Sequence, residues 1–196
     1  MDLTGRTLWQ VGAGDTNRSY GDICIRYDVM IAGPGDPGAY EESLYAHLGN
    51  IRNSLRRFCQ EAHRDDIVLL RLGTGQVLAV GEITDDAEEW LEVFSDVDGW
   101  NLQHVRRIRW FPNTENTFPP KTLGGQVQTF TAVNVAAVRD WVEGLNIAAV
   151  HRNRELAHVP PAGAALDPAE LGRRLFVEGL PSEYVEKRLY PNGTKL

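Results

Sequence analysis

The chain has 196 residues, of which 42% are hydrophobic, 24% charged and 9% aromatic. That is the size of one domain, or of one domain with an appendage, and not the composition of a disordered segment. Twenty basic residues against 27 acidic ones leave a net charge of −7, which argues against a protein that coats nucleic acid indiscriminately. No apolar run reaches the roughly 18 residues of a membrane span, and the start MDLTGRTLWQ lacks the form of a signal peptide. Cys24 and Cys59 cannot build a disulfide framework, and no CxxC or HxxxH pair suggests zinc. These features predict a cytoplasmic, metal-free protein without a covalently bound cofactor.

In chain order, Thr7–Val11 is a short apolar strand that stops at Gly12-Ala13-Gly14-Asp15. Asp22–Ile31 alternates Ile23, Ile25, Tyr27 and Val29 against polar neighbours, the period-two pattern of a half-buried strand, and ends in a Gly/Pro-rich turn at 33–38. Glu41–His63 carries Leu44, Leu48, Ile51, Leu55, Phe58 and Ala62 at helical spacing, with Gly49 as a point where it divides in two. Asp66–Leu72 and Gln76–Ile83 flank Gly73-Thr74-Gly75 as a hairpin. His104–Phe111 reads as a strand with imperfect alternation, and Val127–Val133 as a strand leading into a helix over Asn134–Leu145. After Val150, Pro160-Pro161-Ala162-Gly163 is linker-like and Asp167-Pro168 opens a short helix. Residues 1–150 thus read as a mixed α/β (α+β) body, and 151–196 as a linker and short helical tail.

Catalytic motifs are missing: there is no GxSxG, no GxxxxGK[ST] and no complete GxGxxG. The adjacent acids Asp65-Asp66, Asp85-Asp86 and Glu88-Glu89 read as solvated edges, His104 as structural, and both cysteines as small buried groups. Trp110 and Trp141 read as core. Trp9, Tyr20 and Trp100 differ in lying beside Gly/Asp loops, where an aromatic face, a carboxylate and free backbone amides suit a flipped nucleobase.

The order of Leu8–Gly14, Tyr20, Asp22, Tyr27-Asp28-Val29 and Ile31–Gly35 resembles a PUA-like domain of the EVE type, as does the hairpin at 65–83. The segment Asp96–Arg107 resembles one found in bacterial EVE-like domains fused to restriction nucleases, and the likeness covers roughly residues 7–145. It implies a PUA-like mixed β-barrel with flanking helices that reads a modified base, a 5-modified cytosine first of all, in double-stranded DNA by base flipping. Carried over, it makes Trp9, Gln10, Gly12, Ala13, Gly14, Asp15, Tyr20, Asp22 and Trp100 the base pocket, and it sets Arg18, Arg52, Arg56, Arg106 and Arg107 against phosphate. The chain has Asp65-Asp66 where the family commonly has Gly-Asp, and it carries no nuclease motif. Any cleavage in a modification-dependent restriction system would therefore come from a fused or separate nuclease partner. Three alternatives stand beside this reading: an RNA modified-base reader, an ASCH-like amidohydrolase on modified nucleosides, and an interaction module whose arginine face binds a protein.

Overall fold

A computed structural model describes residues 1–14, 18–124 and 129–147. Asp15, the first residues of the strand expected from Val127, and the tail at 151–196 lie outside the described residues. The architecture is mixed α+β: a curled, half-barrel sheet with a few helices packed on it. Its strands are β1 (Leu8–Gly12), β2 (Val29–Ala32), β3 (Ile67–Leu72), β4 (Gln76–Ile83), β5 (Glu89–Trp90), β6 (His104–Phe111), β7 (Asn116–Thr117) and β8 (Phe130–Ala132). The order across the sheet is β2-β6-β4-β3-β1-β8, with β5 on β6 and β7 on β4. The β1–β3 pair is parallel and the other pairings are antiparallel. Among the described residues no helix is long and apolar enough to cross a membrane.

The sheet buries both faces. Trp9, Val11, Val68 and Leu70 belong to one core, and the alternate residues Leu8, Ile67 and Leu69 to a second. This is why the strands read as unbroken apolar runs. The hairpin forms as expected, with a bulge where Leu70 pairs Ala79 but Arg71 pairs Val77. The extra residue, Leu78, shifts the alternation, so that Val77 and Val80 both reach the second core. The predicted strand at His104–Phe111 is β6. Its first half pairs with β2 and β5 and its second half with β4, so it joins two parts of the sheet. Cover on both sides explains its imperfect alternation.

Asp22–Ile31 is not one strand. Gly21–Tyr27 forms helix α1, burying Gly21, Cys24 and Tyr27 at three-residue steps. Asp28 ends it in a left-handed conformation (φ 53°, ψ 48°), and β2 begins at the next residue. The Trp110 indole donates to the Cys24 carbonyl at 2.9 Å and pins the helix to β6. The long helix expected over 41–63 also divides, as Gly49 allows. A 3₁₀ turn at Ala46–Leu48 precedes Gly49, whose φ of 53° suits glycine, and α2 follows over Asn50–Arg56. Leu44 and Ile51 are exposed, whereas Leu55, Phe58 and Ala62 are buried as their spacing predicts. Ser54 of α2 accepts from the Phe130 amide at 2.7 Å and donates to its carbonyl at 3.0 Å, which covers the edge of β8. On the other face, α3 (Ala136–Gly144) lays Val138 and Val142 over the second core. Trp110 is buried as expected, and the half-buried Trp141 packs edge-on against Phe118.

Two buried polar anchors hold this arrangement. Asp66, only 6% exposed, accepts from the Thr7 amide (2.8 Å), the Trp9 indole (2.8 Å) and the His63 amide (3.0 Å). It thereby ties β1 and the end of the helical segment to the start of β3. Arg106 is the second anchor and corrects an expectation, because it is fully buried and cannot reach a phosphate. Arg57–Glu61 continues α2 as a π turn, with the Ala62 amide donating to the Arg57 carbonyl at 2.9 Å. The wider turn leaves the Phe58 carbonyl for Arg106, whose Nη1 donates to it at 3.0 Å and to the Ala62 carbonyl at 2.8 Å. Arg106 Nε donates to Asp85 at 2.7 Å, and the second oxygen of Asp85 accepts from the Arg107 amide at 2.6 Å. Burial raises the Asp85 pKa, against the opposing pull of Arg107 and Arg106.

These anchors generate two stability predictions. Asp66→Ala strands three donors, so it should lower the unfolding free energy by about 3 kcal/mol or more, at ~1–3 kcal/mol per buried donor. Arg106→Ala leaves Asp85 facing a void and should cost about 3–5 kcal/mol. Urea denaturation followed by tryptophan fluorescence measures both, and an unshifted midpoint for either variant removes that residue as an anchor.

Candidate functional site

A cavity of about 460 Å³ opens where the ends of β1, β2 and β3 meet the loop before β6. That volume suits a small planar molecule. Gly12 and Gly14 contribute backbone from the β1 end, Gly33 and Pro34 from the end of β2, and Thr129 from the segment entering β8. Gly33 is required there: a Cβ on it would stand 1.8 Å from the Asn101 carbonyl oxygen. The opposite wall is Gly99, Trp100, Asn101 and Leu102. Trp100 follows a tight turn in which the Val97 and Trp100 amides and carbonyls pair at 2.8 and 3.0 Å. Asp98 and Gly99 at its centre have φ of 51° and 83°, the conformation for which Asp-Gly is suited. The Gly99 amide donates to the Asp96 side chain at 2.8 Å and braces the turn.

Tyr20 and Trp100 form the aromatic wall, edge to face with centroids 5.5 Å apart. The Tyr20 hydroxyl donates to the Gly12 carbonyl at 2.8 Å, and burial pushes its pKa far above the ordinary phenol range. It therefore stays a neutral hydroxyl. Arg71, 3% exposed, also lines the cavity and donates to the Gly73 carbonyl. Burial lowers its pKa, but an arginine retains its charge in any such setting. The cavity therefore offers two rings, glycine backbone and a buried cation. That combination fits a flat ligand whose edge presents acceptor atoms.

The expected pocket residues separate in the structure. Gly12, Gly14, Tyr20 and Trp100 come together around the cavity, while Trp9, Gln10, Ala13 and Asp22 are not among its lining residues. Trp9 stacks on Phe130 at 4.8 Å and spends its indole N–H on Asp66, so it is a core residue. Ala13 and Gln10 are buried, and Asp22 is exposed on the first turn of α1. The lining thus holds a cation where the sequence reading placed a carboxylate. Nothing in the sequence singles out Arg71, because a lone arginine inside an apolar strand carries no motif.

Of the expected phosphate ligands, Arg18 is exposed at the cavity's edge. Its guanidinium carbon lies 4.0 Å from the centroid of the Trp100 ring, and it donates to the Asp98 carbonyl at 3.3 Å. Arg52 is half-buried on α2, and Arg56 pairs with Glu61 at 2.6 Å. Arg107 makes a two-pronged pair with Glu89 at 2.9 and 2.8 Å. Arg106 belongs to the interior, as described above.

The acids read as solvated edges are largely structural. Asp66 and Asp85 serve the two anchors, Glu89 holds Arg107, and the Glu88 side chain is only 10% exposed, 2.5 Å from His104 Nδ1. His104 is fully buried, with Cys59 Sγ 3.9 Å from the same nitrogen and the Tyr45 hydroxyl 2.9 Å from Nε2. Burial, reinforced by Glu88, pushes the Cys59 thiol up, so it is not an activated nucleophile.

Comparison with curated proteins finds no match. The profile of one family matches residues 35–135, just over half of the sequence, and takes in Arg71, the Gly99–Leu102 wall and the His104 cluster. The chain accordingly belongs to that family, described as a domain of unknown function (DUF8426).

Proposed function

We propose that the protein reads a modified nucleobase, a 5-modified cytosine first of all, in double-stranded DNA by accepting it, flipped out, into the cavity beside Trp100. The observation that carries the reading is the cavity's combination of an aromatic wall, Tyr20 and Trp100, with the buried cation Arg71. Extruding a base costs a few kcal/mol, and base–aromatic stacking recovers roughly 1–3 kcal/mol. Arg71 supplies donors that match the acceptor atoms of a base edge. The curled sheet with helices on it is compatible with a PUA-like architecture, the fold that the sequence resemblance implies. Arg18, at the rim, is positioned to meet the backbone of the strand from which the base is drawn.

Among the other readings, amidohydrolysis draws no support here, since the described lining residues include neither a lysine nor a carboxylate. Recognition in RNA remains an arm of the experiment, because the 2′-hydroxyl distinguishes the polymers. A nuclease that acts on the recognised DNA would be a separate or fused partner.

The test is a panel of otherwise identical duplexes carrying cytosine, its methyl, hydroxymethyl and glucosylated forms, or N6-methyladenine at one position, with matched RNA as competitor. Trp100→Ala should weaken binding to the preferred duplex about 5- to 150-fold, the equivalent of ~1–3 kcal/mol of stacking, with an unchanged melting temperature. Arg71→Met should also weaken it while keeping the side-chain volume. Trp9→Ala, by contrast, should lower stability by about 3–5 kcal/mol, as removal of a core tryptophan does. Equal binding to every duplex, or full binding by Trp100→Ala, overturns the proposal.

A further inference from the structure

We propose that Cys59, Glu88 and His104 form a zinc site with an open coordination position. Three different elements deliver these residues to one place: the π turn at Arg57–Glu61, the loop before β5, and the first residue of β6. The potential ligand atoms all lie within 4.8 Å of one another. That span is within reach of donors around one ion, with Zn–S near ~2.3 Å and Zn–N near ~2.0 Å, and Glu88 Oε1 and His104 Nδ1, which stand 2.5 Å apart, separate to admit it. The thiol, imidazole and carboxyl set mixes soft, borderline and hard donors, a combination that favours zinc over magnesium or calcium.

Hydrogen-bond direction strengthens the assignment. The Tyr45 hydroxyl has one proton, and it donates that proton to the Gly38 carbonyl at 2.6 Å. Its contact with His104 Nε2 at 2.9 Å must then be an accepted bond, which places the imidazole proton on Nε2. Nδ1 is left to present its lone pair to Glu88 Oε1 at 2.5 Å and to Cys59 Sγ at 3.9 Å. Two lone-pair bearers, Glu88 Oε1 and His104 Nδ1, facing one another at 2.5 Å need either a shared proton or a metal ion between them, and the Cys59 thiol gives up its proton when it binds a metal. The Tyr45 contact is also the outer-sphere bond that characteristically orients a metal-bound histidine. Beside the cluster, Tyr40 lies with its ring centroid 6.4 Å from that of His104, and its hydroxyl is buried with no hydrogen-bond partner among the described residues. Three protein ligands are one fewer than a closed structural site takes, so a fourth position is left for water or another small ligand.

The site is independent of the base-reading proposal, and its test involves no nucleic acid. The full chain, stripped of metal by chelation, is titrated with zinc against a chromophoric chelator and separately with cobalt(II) as a spectroscopic probe. Expected are one equivalent of zinc bound and a thiolate-to-cobalt charge-transfer band. Cys59→Ser should abolish the band and weaken zinc binding at least tenfold, and Glu88→Gln should weaken it while retaining the band. Circular dichroism confirms that both variants are folded. No zinc binding at stoichiometric concentration, a cobalt complex without the thiolate band, or binding unchanged in both variants overturns the site. The first of these results would leave His104 and Glu88 as a proton-bridged pair.

Discussion

The Arg106 guanidinium sits, fully buried, between the sheet and the helical segment above it, and the π turn and the loop after β4 both serve to satisfy it. A cation in that position needs acceptors on several sides, since burying it unpaired would cost several kcal/mol. One side is met by Asp85, which the loop after β4 brings back over β6. The other is met by the Phe58 carbonyl, which a regular α-helix would leave engaged, and by the Ala62 carbonyl just beyond the π turn. The π turn at Arg57–Glu61 frees the Phe58 carbonyl, and the following His63 amide turns to Asp66 instead. One residue of that turn, Cys59, and a neighbour of Asp85 in the loop, Glu88, are thereby held over His104. His104 shares a face of β6 with Arg106, two residues apart. The cluster is thus carried by the machinery that accommodates the buried arginine.

Where structure depended on neighbours in sequence, it was legible. The Gly73-Thr74-Gly75 turn between apolar runs specified the hairpin closely, and β6 ends where its pattern ends. Gly49 marked the helix break because a positive φ has few alternatives. The misreading of 22–31 has an equally local cause. Apolar residues at 23, 25, 27 and 29 satisfy a period of two, yet the positions packed inward from α1 are 21, 24 and 27, and one of these is a glycine that no hydrophobicity count registers. A Cβ at Gly21 would meet Leu78 Cδ1 at 2.4 Å, so its role is close approach, and that is invisible without the partner strand.

The site was half legible for a related reason. Tyr20 and Trp100 announce themselves through glycine and aspartate neighbours, and they do meet across the cavity. Trp9 has similar neighbours but points into the core, because strand parity sets it on the face shared with Val11 and Phe130. Parity could be assigned to β1 only with knowledge that both sheet faces are covered. The partners of His104 lie 16 and 45 residues away along the chain, and no spacing rule links them. Adjacent acids mislead in the same way. Each pair reads as mutually repelling and solvated, yet Asp66, Asp85 and Glu89 each answer a donor contributed by a distant segment, and Glu88 faces the buried His104.

Net charge therefore says little about what the protein can bind. The value of −7 is only a sum in which many charges cancel in internal pairs: Asp85 with Arg106, Glu89 with Arg107 and Glu82 with Arg6 and Arg109. Paired within a few ångströms, such groups project little field beyond a Debye length of ~8–10 Å. The cavity is a different environment. Among the described residues no acid lines it, Arg71 stands inside it with little solvent to screen its charge, and Arg18 lies at its rim. A ligand arriving there meets a local positive field and aromatic surface, whatever the sum over the whole chain. An overall negative charge then works against weak, unspecific attraction to a polyanion, while Arg71 and Arg18 place positive charge where an acceptor edge would enter. The placement of charge, rather than its total, is what would make this acidic protein compatible with the proposed anionic partner.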